Sequence, residues 1–125
     1  MYSQGDILLI PLPFTDLSSM KQRPVLVLSK DEYNGVADDL IVAAVTSNVD
    51  TKPYIVPITN SDMDEGSLKI NSCIRADKIY TLSQDIVIKR FGRVSRETIK
   101  KTKEKMWDLM DSASENNEDF DTPAL

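Results

Sequence analysis

The sequence predicts a mainly β protein, a small and strongly bent antiparallel barrel closed by one C-terminal helix. Two continuous apolar runs, Val25–Leu28 and Leu40–Val45, read as strands buried on both faces. Further short strand-like segments follow at close spacing with turn residues between them, the pattern of a small barrel. Only the stretch from Ser95 to Met110 places apolar residues at helical spacing.

Taken in order, Asp6 to Leu12 is a first strand after a turn at Gly5. Pro11 and Pro13 push its end to a sheet edge, because proline donates nothing to a ladder. Phe14 to Gln22 is a polar loop with turn chemistry at Asp16, Ser18 and Ser19. The stretch Lys21–Ser29 then organises the chain. Pro24 marks the start of its strand, and the residue before a proline is held extended, so Arg23 leaves the loop at a fixed angle. A permanent cation is thereby anchored to a rigid strand.

Asp31 to Asp39 is a second loop, with a tight turn at Asn34-Gly35. The run Leu40–Val45 ends in Thr46-Ser47-Asn48, three short polar side chains emerging from the sheet. Tyr54 to Ile58 is a short strand that Pro57 confines to an edge. The region of Gly66, then Ser72–Arg75, Lys78–Leu82 and Asp85–Phe91, gives further short strands. Ser95 is a good N-cap for the closing helix, Val94 and Ile99 are spaced as a hydrophobic staple, and Glu97 favours the first turn. The stripe Ile99, Thr102, Met106, Leu109 and Met110, together with Trp107, is expected to pack on the barrel. Lys100, Lys101, Lys103 and Lys105 lie between these positions, either as a solvated face or as part of a nucleic-acid footprint.

Composition bounds the class. A chain of 125 residues with 41% apolar and 28% charged residues is one soluble globular domain. It has no run of about 18 apolar residues, so no membrane span is expected. Its first residues lack the basic and apolar regions of a secretory signal, and a cytoplasmic protein is expected. The lone Cys73 allows no internal disulfide, and its apolar flanks favour a small buried hydrophobe over a reactive thiol. The net charge of −5 belongs to the tail, where Asp111, Glu115, Glu118, Asp119 and Asp121 stand without a basic residue. Residues 1–110 are expected to form the domain, balanced in charge, and residues 111–125 an acidic, peripheral tail.

The same inventory excludes much chemistry. There is no histidine, and one cysteine cannot build a Cys-rich zinc site. The sequence contains neither a Gly-rich phosphate loop nor a nucleophile elbow. The pairs Asp38-Asp39 and Asp64-Glu65 fall in apparent loops, as solvated carboxylates or as metal ligands. What remains is Arg23 at one strand start and Thr46-Ser47 at another strand end. A guanidinium fork with hydroxyl donors can bind a phosphate. A buried structural arginine and strand-capping hydroxyls account for the same residues nearly as well.

Gly5-Asp6-Ile7, then Pro11-Leu12-Pro13-Phe14-Thr15, then Arg23 to Ser29, then Ile41 to Ser47 occur in an order that resembles the MazF/PemK family of toxin endoribonucleases. Gly66, Ser72, Asp77-Lys78-Ile79 and the closing helix continue the resemblance, which covers roughly residues 4–110. It implies an SH3-like barrel, a homodimer, single-stranded RNA as substrate and a cognate antitoxin as partner. It also implies metal-free chemistry without a cofactor, in which the ribose 2′-hydroxyl attacks its own phosphate. The family's essential arginine falls on Arg23 and its essential threonine on Thr46. RNA- or phosphate-binding side chains are expected at Ser18, Ser19, Lys21, Gln22, Ser47, Asn48, Asp77 and Lys78. The loop glutamate of some relatives has no counterpart here, and Asp16 is the candidate base in its place. The same barrel superfamily also includes CcdB-type toxins, which bind a topoisomerase without catalysis, so a protein-binding function is the alternative.

Overall fold

A computed structural model of the chain describes residues 1–11, 21–48 and 53–112. Its strands are β1 (Asp6–Pro11), β2 (Gln22–Val27), β3 (Asp39–Thr46), β4 (Ile55–Ile58), β5 (Met63–Gly66), β6 (Ser72–Ser83) and β7 (Lys89–Val94). They pair antiparallel in the order β4-β6-β3-β2-β1-β7-β5 and curl into a half-barrel. Helix α1 (Asp31–Val36) joins β2 to β3, and α2 (Arg96–Met110) follows β7. The expected architecture, mainly β with a C-terminal helix, is the one found. No helix among the described residues is long and apolar enough to cross a membrane.

The central run is buried on both faces, as its unbroken apolar character requires. Side chains alternate across a strand. Val25 and Val27 accordingly join Leu8, Ile10, Leu40 and Val42 in one cluster. Leu26 and Leu28 join Ile7, Ala43, Val45 and Ile74 in the other, which α2 covers through Ile99 and Met106. The helix is held as its sequence directs. Ser95 Oγ accepts from the Thr98 amide at 3.2 Å, and Val94 and Ile99 are buried in one cluster as a staple. Cys73 is fully buried, a core residue.

Four expectations are corrected. Asn34-Gly35 makes no turn between strands but lies in α1, because the buried Asn34 amide donates to Ser29 O at 2.9 Å and to Tyr2 O at 3.1 Å. Those bonds pin the segment in place and override its turn propensity. Ser72–Arg75 and Lys78–Leu82 are one strand, β6, interrupted by a bulge; the segment after it starts as a turn at Gln84–Ile86 before β7. Asp64-Glu65 lies in strand β5 rather than in a loop. The apolar stripe of α2 makes its last core contact at Met106, leaving Trp107 and Met110 67% exposed and Leu109 41%. The helix packs on β4 and β6, and β4 is the sheet's edge, so the final turn projects past its support.

The far edge of the sheet is fastened by charge. Asp6 is 2% exposed, and its Oδ1 accepts from Arg90 Nε at 3.0 Å and Arg93 Nε at 2.9 Å. Both arginines reach on to Glu65 of β5, at 2.7 and 2.8 Å. The hydrogen bond from Arg90, and then the charge of Arg93, hold the Glu65 carboxyl below its ordinary value. Gly66, with φ of 73°, and Gly92 face each other across β5 and β7, and a Cβ on either would run into the other strand's backbone.

Removing the shared acceptor leaves two arginines without their buried partner. Asp6→Ala is expected to cost about 2–3 kcal/mol, somewhat below the usual penalty for breaking a buried pair because both guanidiniums are partly solvated. Urea denaturation measures it. The Glu65 contribution has the sign of a depressed carboxyl: it is present above the ordinary value of 4.5 and is lost as pH falls through the lower, folded-state value.

Candidate active site

The site forms where a ladder stops. Leu28 N donates to Ile41 O at 2.8 Å, and alternate residues of a strand address the same neighbour. Pro24 therefore turns its missing N–H toward β3, and the β2–β3 pairing ends one residue earlier, at Val25 opposite Ala44. The ends of β2 and β3 beyond that point are not zipped together. β2 nevertheless begins at Gln22, two residues ahead of the start expected at Pro24, because Pro11, Ile10 and Leu9 of β1 still pair with Gln22, Arg23 and Pro24. Pro11 likewise sits past the β7 ladder, which ends at Leu9.

Continuing the Val25–Ala44 register by two residues sets Arg23 opposite Thr46, and Thr46 in turn pairs with Cys73 of β6. On the same face, Arg75 pairs with Ala44. Ala76, Asp77 and Lys78 are then extra in β6, because Ile79 pairs with Ala43. Such bulges re-aim side chains, and this one turns Asp77 back onto Arg75. The Ala76 amide bonds Tyr54 O at 3.0 Å, and Tyr54 holds φ of 65°, the only described non-glycine residue with a positive value.

Arg23, Ala44, Thr46, Arg75 and Lys78 border a cleft of about 730 Å³. Its described lining carries three cations, Arg23, Arg75 and Lys78, and no carboxylate. Arg23 is exposed and makes no hydrogen bond or ion pair to a described residue. Thr46 Oγ accepts from the Asn48 amide at 3.1 Å. That bond occupies a lone pair and leaves the hydroxyl hydrogen to be donated into the cleft. Arg75 is held by Asp77 through two parallel bonds, Nε to Oδ1 at 2.8 Å and Nη2 to Oδ2 at 2.7 Å. The Arg75 hydrogen bond lowers the Asp77 carboxyl, whose role is to aim a guanidinium rather than to take up a proton.

Of the residues expected from sequence, Arg23, Thr46, Ser47, Asn48 and Lys78 line the cleft. Lys21 and Gln22 are exposed just ahead of it without lining it, and Asp77 acts through Arg75. Asp16, Ser18 and Ser19, like the tail from residue 113, lie outside the described residues. Sequence reasoning missed Arg75. Its signal was a lone charge between Ile74 and Ala76 in an otherwise apolar run.

A half-barrel with a cationic, hydroxyl-bearing cleft defines a small β protein suited to a phosphate chain. The chain belongs to the PemK-like, MazF-like toxins of type II toxin–antitoxin systems, whose family model matches residues 3–109. No curated protein matches it in sequence. Among solved structures it is similar to an endoribonuclease in complex with its cognate antitoxin from mycobacterial species, at 20% identity and a TM-score of 0.74 over 92% of this chain and 100% of that one. It is similar also to the Mycobacterium tuberculosis toxin MazF-mt6, at 20% identity and a TM-score of 0.67 over 82% and 93%. A chain of a MazE–MazF structure from Deinococcus radiodurans is similar at 22% identity and a TM-score of 0.70, over 86% of this chain and 94% of that one.

Asp77→Asn tests the aiming of Arg75. Stability is expected to stay within about 1 kcal/mol of the parent, since exposed pairs contribute little. The Arg75 Nε–H resonance should shift and exchange faster with solvent in NMR spectra. An unchanged resonance would show that Asp77 does not hold the guanidinium.

Proposed function

We propose that the chain is the toxin of a type II toxin–antitoxin pair and acts in the cytoplasm as a metal-independent, sequence-selective endoribonuclease on single-stranded RNA. The observation that carries this reading is that Arg23 and Thr46 both line one cleft at the open end of the β2–β3 ladder, opposite each other by the continued register, with no described carboxylate in the lining. Residues 1–110 carry the activity, and residues 111–125 are its acidic tail.

In the proposed reaction the ribose 2′-oxygen bonds to the adjacent phosphorus while the bond from phosphorus to the 5′-oxygen breaks. The products are a 2′,3′-cyclic phosphate and a 5′-hydroxyl. Charge accumulates on the non-bridging oxygens in the transition state, where fixed donors contribute most. Arg23 supplies a planar fork for two of those oxygens, Arg75 a second aimed cation, and Thr46 a hydroxyl hydrogen. The depressed Asp77 carboxyl is a poor proton acceptor, and Asp16 is the candidate base that the sequence offers. Among the described residues no group of three or more His, Cys, Asp or Glu side chains is placed to hold a metal ion.

We further propose a homodimer that a cognate antitoxin neutralises. The β4 edge and the exposed Trp107 and Met110 are surfaces that a second copy would cover. Light scattering at micromolar concentration should give twice the 14.0 kDa chain mass, and a monomer would count against the dimer.

Incubating the protein with a long single-stranded RNA and EDTA should leave cleavage intact. Activity abolished by the chelator and restored by magnesium would overturn the mechanism. Arg23→Lys should fold as the parent does yet lose roughly 2–4 kcal/mol of transition-state stabilisation, the range for one preorganised donor. That is about 30-fold to 1,000-fold in rate, read by single-turnover cleavage alongside a melting curve. A folded Arg23→Lys variant with parental cleavage would remove Arg23 from the site.

A further inference from the structure

The cleft continues past its cations. Beyond the β6 bulge, Tyr80 pairs with Val42, which sets it on the same face as Ala44 and Thr46. Tyr80 is half-buried: it packs against the cluster of Leu8, Ile10, Val25 and Val42, and it lines the cleft. Leu82 and Ile86 carry that apolar wall onward. One end of a single cleft is thus cationic and hydroxyl-bearing, and the other is aromatic and aliphatic.

We propose that Tyr80 is a stacking platform for an unstacked RNA base, carried by one of the two nucleotides that flank the phosphate held at Arg23 and Thr46. The inference rests on the RNA reading above and assigns the second half of that site. A ribose-phosphate chain needs cations and donors, which the Arg23 end supplies, whereas a splayed base needs a flat apolar surface. An aromatic ring offers one to any base, because every base has a π-face. Tyr80 has the required support, since the cluster beneath it fixes its body. Tyr80 therefore contributes to affinity at the apolar end of the cleft.

The cut made by the parent protein is first mapped on a long single-stranded RNA. A short RNA around that cut, with a 2′-deoxy sugar at the attacking position, then serves as an uncleaved ligand. Tyr80→Phe keeps the ring and should bind it as the parent does. Tyr80→Leu keeps apolar volume without the π-face and should weaken binding about 5-fold to 150-fold, the span for one stacked base. The melting temperature of each variant is read on the same samples.

Replacing one of the two flanking nucleotides by an abasic residue should weaken binding to the parent by a similar factor and cost the Tyr80→Leu variant nothing more. Parental binding by a folded Tyr80→Leu variant would overturn the proposal. So would a parent protein indifferent to an abasic residue on both sides, a measurement that needs no variant. Losses that simply multiply would place the base elsewhere. A parent protein that cleaves no RNA overturns the RNA reading itself, and this is seen before any variant is made.

Discussion

The early end of the β2–β3 ladder is the constraint on which the site depends. Two adjacent central strands would ordinarily pair along their whole length, and a zipped sheet has no cleft. Pro24 removes the donor that would carry the ladder one residue further, and it does so on the β3 side alone. The β1 side stays paired as far as Pro11–Gln22, so β2 is held on that side while its other flank opens. Arg23 is consequently fixed by one neighbour and exposed toward the other. A proline within a central strand, normally a defect, here opens the site.

Charge is arranged against the average of the chain. The sequence carries −5, yet the described lining of the cleft carries three cations and no acid. Low net charge elsewhere does not weaken such a site, because exposed charges further away than about 8–10 Å are largely screened at physiological salt. The local count decides what binds, and the total informs mainly on solubility.

Much of the fold was legible because it follows from periodicity. Val25–Leu28 and Leu40–Val45 read as buried strands; Val25–Leu28 alternates between the two clusters, while Leu40 and Val42 join one and Ala43 and Val45 the other. The start of α2 followed from Ser95 and the Val94–Ile99 staple. Arg23 and Thr46-Ser47-Asn48 were legible because they stand at strand ends, and Lys78 only through the family resemblance; all five line the cleft. The failures lie where tertiary contacts outvote local signals. Asn34-Gly35 has turn chemistry, but Asn34 spends its amide on Ser29 and Tyr2 and is carried into a helix. The bulge at Ala76–Lys78 looks in sequence like a gap between two strands, because a bulge leaves no periodic trace beyond a break in alternation. Arg75 was missed for the same reason: its partner Asp77 meets it only once the strand has buckled.

The strand arginines show why residue type alone could not assign roles. Arg90 and Arg93 share Asp6 and Glu65, so their charge is matched and their work is to bind β1, β5 and β7 together. Arg75 has Asp77 as a bidentate partner, which fixes its direction while keeping it in the cleft lining. Arg23 meets no carboxylate among the described residues. The three environments form a series in neutralisation, from fully matched to unmatched. A guanidinium already holding two carboxylates has few donors left for a ligand, whereas one without them keeps its whole fork. The same side chain is thus a fastener at one edge of the sheet and a guanidinium with its fork unmatched by any described carboxylate at the open end of its centre. What separates the two roles is the number of carboxylates that the register brings within reach.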